Sequence, residues 1–220
     1  MSRKFKFSKD LLGLGVDMYK KSNVTIEPGV TVLVGCNGSG KTTFMRHIHE
    51  TLNKDKIPNV YFNNLFDGGE NARAAAGFRN DFTFLATAAV SSEGENIVMN
   101  LGRTSYKVGS AFTTALKNKT ELWILLDAVD SGLSIDNIVS LKTSLFDTVI
   151  KDAASHGQDV YILVSANSYE MARGERCLDV QNMKYKTFKT YDSYRKYVLK
   201  SSELKTVRDY PEKVEDKAND

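Results

Sequence analysis

The sequence predicts an α/β fold, a mostly parallel β-sheet covered by helices. Three observations lead to it. Four short apolar runs, VTVLVG (Val30–Gly35), NVYFNN (Asn59–Asn64), ELWILLD (Glu121–Asp127) and DVYILVS (Asp159–Ser165), are continuous rather than alternating. That is how strands buried on both faces read. Stretches of helical character separate them, and strands alternating with helices build parallel sheets. A glycine-rich segment, GCNGSGKT, joins the first run to the first helix.

Taken in order, a helix is expected over Thr42–Leu52, a second over Glu95–Leu116 and a third over Ile135–Ala153. In the third, Ile135, Ile138, Leu141, Leu145 and Val149 recur at spacings of three or four and form one apolar stripe. Ser134 is placed to cap its start and Gly157 lies beyond its end. Asp67–Ala89 carries Gly, Asn, Ala and charges without a strand pattern and reads as a small helical or loop insertion. The organisation expected is one domain over 1–205, with a reduced helical lid inserted at about 65–118 and a polar, flexible tail over 206–220.

The 220 residues suffice for one sizeable core, and 41% hydrophobic with 26% charged residues is ordinary for a globular chain. A net charge of +3 permits a nucleic-acid partner without arguing for one. Of the two cysteines, Cys36 lies inside the glycine-rich loop, so no structural disulfide is expected. The N-terminal stretch has no apolar core with a small-residue cleavage site, and no window reaches the roughly 18 apolar residues of a membrane span. A cytoplasmic location is the expectation, host cytoplasm if the chain is viral.

Gly35-Cys36-Asn37-Gly38-Ser39-Gly40-Lys41-Thr42 satisfies G-x-x-x-x-G-K-[ST] between a strand and a helix, the context in which that pattern cradles phosphates. Glycines let backbone N–H groups turn inward, and the helix start adds partial positive charge. The phosphate-binding set is Gly35, Asn37, Gly38, Ser39, Gly40, Lys41, Thr42 and Thr43. Lys41 is placed to reach the β- and γ-phosphates of a nucleotide and Thr42 to ligate Mg²⁺.

The form G-x-N-G-S-G-K-T-T resembles the Walker A sequence of ATP-binding-cassette (ABC) ATPases, including the soluble SMC and RecF branch. SSEGE (Ser91–Glu95) resembles that superfamily's signature motif. ILLDAVDSGLS (Ile124–Ser134) resembles its Walker B strand and D-loop, with Ser131, Gly132 and Leu133 in D-loop places. The resemblance spans about Asn23 to Asp179. It implies a P-loop NTPase fold of ABC type, with ATP and Mg²⁺ as ligands. Asp127 is then the Walker B aspartate that, with Thr42, orients the metal. It also implies a head-to-tail dimer in which Ser92 and Gly94 contact the γ-phosphate held by the partner molecule. The chain is similar, too, to the small stand-alone ATP-binding proteins that tailed bacteriophages encode.

Three positions depart from the family pattern. Ala128 stands where a glutamate polarises the attacking water. Ala166 stands where a histidine senses the γ-phosphate, with Asn167 beside it. Near Asn59–Asn64 the lid-strand glutamine has only Asn63 or Asn64 as an equivalent. Losing a positioned general base typically costs about 10²–10⁴ in rate. The expectation is therefore an Mg-ATP-binding protein with weak or absent hydrolysis and no catalytic residue assigned. Its ATP-dependent dimer acts as a switch, with DNA metabolism a process it would suit. The alternatives are a non-catalytic, ATP-dependent regulator of a protein target and the nucleotide-binding subunit of a transporter. Glu95 in the signature, the short lid and Ser134 at a D-loop aspartate position argue against the transporter.

Other features read more plainly. NKTE (Asn118–Glu121) looks like a guanine-reading N-K-x-D but precedes the strand carrying Asp127, so it reads as a polar turn. His47 and His49 lie two apart on a helix and point to different faces. Lys184–Lys200 interleaves six Lys/Arg with five aromatics, Tyr185, Phe188, Tyr191, Tyr194 and Tyr197. It reads first as a final strand and amphipathic helix, and second as a nucleic-acid surface. Phe5, Phe7 and Tyr19 are all candidates for the aromatic that stacks on adenine.

Overall fold

The computed structural model describes residues 2–10, 17–64 and 93–203, the side chains of 93–103 excepted. Among these, β3 (Gly29–Val34), β4 (Asn59–Asn63), β5 (Leu122–Asp127) and β6 (Val160–Ser165) coincide with the four apolar runs. With β7 (Arg176–Asp179) and β8 (Lys184–Lys186) they form a six-stranded sheet in the order β4-β5-β6-β3-β7-β8. All neighbours are parallel except β7 with β8.

Strand alternation divides the core in two. Val32, Val34, Leu122, Ile124, Leu126, Val160, Ile162 and Val164 point to one face, and Leu33, Trp123, Leu125, Tyr161 and Leu163 to the other. The second face is covered by α1 (Lys41–Lys54), through Phe44, Met45, Ile48 and Leu52, and by an antiparallel pair, β1 (Arg3–Lys6) and β2 (Asn23–Ile26). The first face is covered by helices that follow β4: α2 (Glu93–Asn118), α3 (Ile135–Leu141), α4 (Asp147–Ser155), α5 (Tyr169–Ala172) and α6 (Tyr191–Glu203).

The structure adds to and corrects the sequence reading. The pair β1–β2 and strand β7 are only four residues long each, with one or two apolar residues apiece, too little to stand out in sequence. The helix expected over Ile135–Ala153 is instead α3 and α4 joined by a π-helical segment, Lys142–Phe146. Its apolar stripe is corrected at one end. Ile138, Leu141 and Leu145 are buried, but Ile135 is 67% exposed, and Phe146 enters the core where the π segment shifts the helical register. Ser134 occupies the N-cap position, but its hydroxyl caps no backbone N–H. Gly157 follows α4 with φ 62, as a helix-ending glycine does.

NKTE closes α2 and turns into the amino end of β5, with Lys119 at φ 52. His47 meets Lys6 and Phe7, while His49 stacks on Tyr61. In the basic–aromatic stretch Phe188 and Tyr194 are buried in the core, whereas Tyr191 is exposed. No described helix is long and apolar enough to cross a membrane. The insertion at Asp67–Ala89, Ser92 and the tail at 206–220 lie outside the described residues.

Candidate functional site

Parallel strands gather their carboxyl ends along one edge of the sheet, and ligands of open α/β sheets settle there. Here that edge carries the loop after β3, Asp127 closing β5 and Ser165 closing β6. Together they border a cleft of about 310 Å³ lined by Asn37, Gly38, Gly40, Lys41, Thr42, Thr43, Ala128, Ser165, Asn167 and Met18.

The glycine-rich loop has the backbone its sequence calls for. Gly35 has φ 147, and a Cβ there would lie 2.6 Å from Ser39 Oγ. Gly40 has φ 95, and a Cβ there would lie 2.8 Å from the Tyr19 hydroxyl. Only glycine satisfies both the dihedral and the space. Gly40 is the N-cap of α1, so the free N–H groups of the first helical turn open toward the cleft. Lys41 curls back over the loop, donating to Gly35 O (2.8 Å) and Cys36 O (3.2 Å). Burial lowers its pKa, and the charges near Cys36, Asp130 and Asp127 oppose that shift.

Asp127 is almost wholly buried and is held on every side. Thr42 Oγ1 (3.2 Å) and the Ser165 hydroxyl donate to its Oδ1, and Asn63 Nδ2 (3.1 Å) and Tyr61 OH (3.4 Å) to its Oδ2. Ser165 also accepts the Ala128 N–H at 2.8 Å, which fixes the turn leaving β5. Ala128 sits in the left-handed region at φ 53, uncommon for a residue with a side chain. Such strain concentrates at functional sites.

Asp130 joins the loop after β5 to the loop after β6. Its Oδ2 accepts the N–H groups of Asn167 (2.8 Å) and Ser168 (2.6 Å), and its Oδ1 is buried without a hydrogen-bond partner among the described residues. Burial raises its pKa, opposed by those two N–H groups and by Lys41. A carboxyl whose folded-state pKa is raised keeps its proton in the folded protein to higher pH than in the unfolded chain. The stability difference between wild type and Asp130→Asn is therefore expected to move in favour of the variant as the pH rises above the ordinary carboxyl range. Melting curves of both proteins from acid to neutral pH check it, and a difference independent of pH would refute it.

The structure brings together Asn37, Gly38, Gly40, Lys41, Thr42 and Thr43 in the cleft wall, with Gly35 and Ser39 behind them, and places Asp127 beside Thr42. Gly94 lies in the first turn of α2. Ala166 is fully buried in the core, and the cleft residue there is Asn167. Asn63 binds Asp127, whereas Asn64 Nδ2 donates to Ser131 O (3.0 Å). Phe5, Phe7 and Tyr19 all pack in the core, so none offers an open ring face for stacking. The cleft residue on their side is Met18. Sequence reasoning missed Ser165, although a polar residue closing an otherwise apolar strand was a visible signal. It also passed over Met18. Asp130 was visible, but its bonds to Asn167 and Ser168 were not.

Chemically, the arrangement combines a cation, the open N–H groups of a helix start and two hard oxygen donors, Thr42 Oγ1 and Asp127 Oδ1. Such a set accommodates a polyanion together with a small divalent cation. No protein-family model matches the chain, and no curated protein matches it.

Proposed function

We propose that the chain is an ABC-type Mg-ATP-binding protein whose bound nucleotide drives self-association, with little hydrolysis of its own. The observation that carries the reading is the convergence of Lys41 and the Thr42–Asp127 pair on one glycine-walled cleft. The residues present fit the ligands. Gly35 and Gly40 let the loop pack against Ser39 and Tyr19 where a Cβ would collide, and the buried Ser39 hydroxyl has no partner among the described residues. Lys41 and the loop N–H groups would hold the phosphates, and Thr42 and Asp127 the Mg²⁺, which when bound neutralises phosphate charge. Weak hydrolysis follows from Ala128, a cleft residue with no group able to take a proton. Calorimetry with Mg-ATP tests the binding, and absence of heat in a folded protein would end this reading.

The dimer rests on SSEGE, whose last three residues, Glu93–Glu95, open α2. A serine hydroxyl and a glycine N–H at a helix start suit a partner's γ-phosphate. Ser92→Arg is expected to leave ATP binding by each monomer intact and to prevent any rise in particle mass on adding Mg-ATP. Light scattering checks both proteins. Equal mass with and without ATP in wild type would remove the dimer from the proposal.

A further inference from the structure

The glycine-rich loop is held from behind by side chains that its own motif does not include. Cys36 N–H donates to Ser201 Oγ (3.2 Å), and that hydroxyl donates to Gln181 Oε1 (2.9 Å). Both roles of the Ser201 hydroxyl are thus committed, with its hydrogen on Gln181 and a lone pair on the loop. On the same helix, α6, Tyr197 OH donates to Val34 O (3.2 Å), where β3 enters the loop. Tyr194 OH donates to Asn167 O (3.0 Å) on the opposite wall of the cleft. Spacings of three and four put 194, 197 and 201 on one face of the helix. Tyr194 and Ser201 are buried, so these bonds form away from bulk water. The loop is gripped at its other end too, where Tyr19 OH donates to Gly40 O (2.8 Å). Lys20 N–H, next in the chain, donates to Gln181 O (2.9 Å), which closes a ring of contacts around the loop.

We propose that α6 is a clamp on the nucleotide site, in which Ser201, assisted by Tyr197 and Tyr194, positions the glycine-rich loop and Asn167 for binding. This rests on reading the loop as a phosphate cradle. A cradle of backbone N–H groups binds well only if those groups are already aimed before the anion arrives. Gly35, Gly38 and Gly40 all have positive φ, and glycines make the free loop costly to order. The order must come from outside the motif, and α6 supplies it. Cys36 is not a cleft-lining residue, and its N–H faces Ser201 instead of the ligand. If that buried N–H loses its acceptor, the loop must rearrange to regain one.

Cys36 itself reports on the loop, because it and Cys177 are the chain's two thiols and both are buried. The test is alkylation of the nucleotide-free protein with N-ethylmaleimide, read residue by residue by peptide mass spectrometry. Ser201→Ala is expected to speed labelling of Cys36 about tenfold while Cys177 keeps its wild-type rate, and to weaken ATP binding by about the same factor. Ser201→Thr, which keeps the hydroxyl, is expected to restore both, and Tyr197→Phe, which keeps the ring, to give a smaller change in the same direction. Equal Cys36 rates in wild type and Ser201→Ala overturn the clamp, as does parallel acceleration of Cys36 and Cys177, which would mean general loosening. A wild type that binds no ATP overturns the functional reading instead. The labelling pattern needs no nucleotide and still decides the clamp.

Discussion

Lys41→Ala is expected to weaken ATP binding by on the order of a hundredfold or more, since charge-assisted hydrogen bonds contribute roughly 1.5–3 kcal/mol each and an ammonium can make several to a triphosphate. The side chain is poised for this. It is 9% exposed, and its hydrogens rest on Gly35 O and Cys36 O, the loop that would surround the phosphates. Burial disfavours its charge, so an incoming polyanion relieves an existing cost as well as adding an attraction. The fold should survive the change. Lys41 is the first residue of α1, where alanine is a good helix former, and the core residues of that helix start at Phe44. Calorimetry on wild type and variant, with melting curves to confirm folding, makes the comparison. Unchanged affinity in a folded Lys41→Ala protein would sink the assignment of this loop to phosphates.

Ala128→Glu is expected to raise phosphate release at saturating Mg-ATP by up to about 10²-fold over a slow wild-type rate. Ala128 lines the cleft one residue beyond Asp127, and its N–H is pinned to Ser165 Oγ at 2.8 Å. A carboxylate introduced there starts from a fixed backbone and can orient and deprotonate a water beside the γ-phosphate. Its left-handed φ of 53 already carries a side-chain penalty with alanine, so glutamate adds little further backbone strain. The gain is bounded on the other wall, where Ala166 stands in place of the histidine that the resemblance leads one to expect and the residue lining the cleft is Asn167. Brisk turnover by the wild type would mean that another group, Asp130 or Asn167, already positions the water. The reading of Ala128 as the break in the pattern would then be wrong.

Much of the site was legible because it is local in sequence. Gly35 to Thr43 is one continuous segment whose glycines, lysine and threonine sit at fixed offsets from a strand end and a helix start. Asp127 was legible only through the resemblance of Ile124–Ser134 to a Walker B strand and D-loop. The partners of Asp127 were less so. Tyr61, Asn63 and Ser165 come from two other strands, and their convergence depends on the order β4-β5-β6-β3. The aromatics upstream of the loop show the reverse failure. Phe5, Phe7 and Tyr19 looked available because they are aromatic and upstream of the loop, yet the β1–β2 pair and α1 enclose all three.

The sequence by itself determined the α/β class and the four central strands. Strand and helix periodicity are properties of neighbouring residues, and local conformation obeys them directly. Only the tertiary structure decided that Ala166 lies in the core while Asn167 faces the cleft. Only it showed that Asp130 braces that loop, and that Ser201 reaches back 165 positions along the chain to hold Cys36. Those contacts join segments remote in sequence. No periodicity encodes them, because they exist only once the two faces of the sheet have been covered and the strand ends brought to one edge.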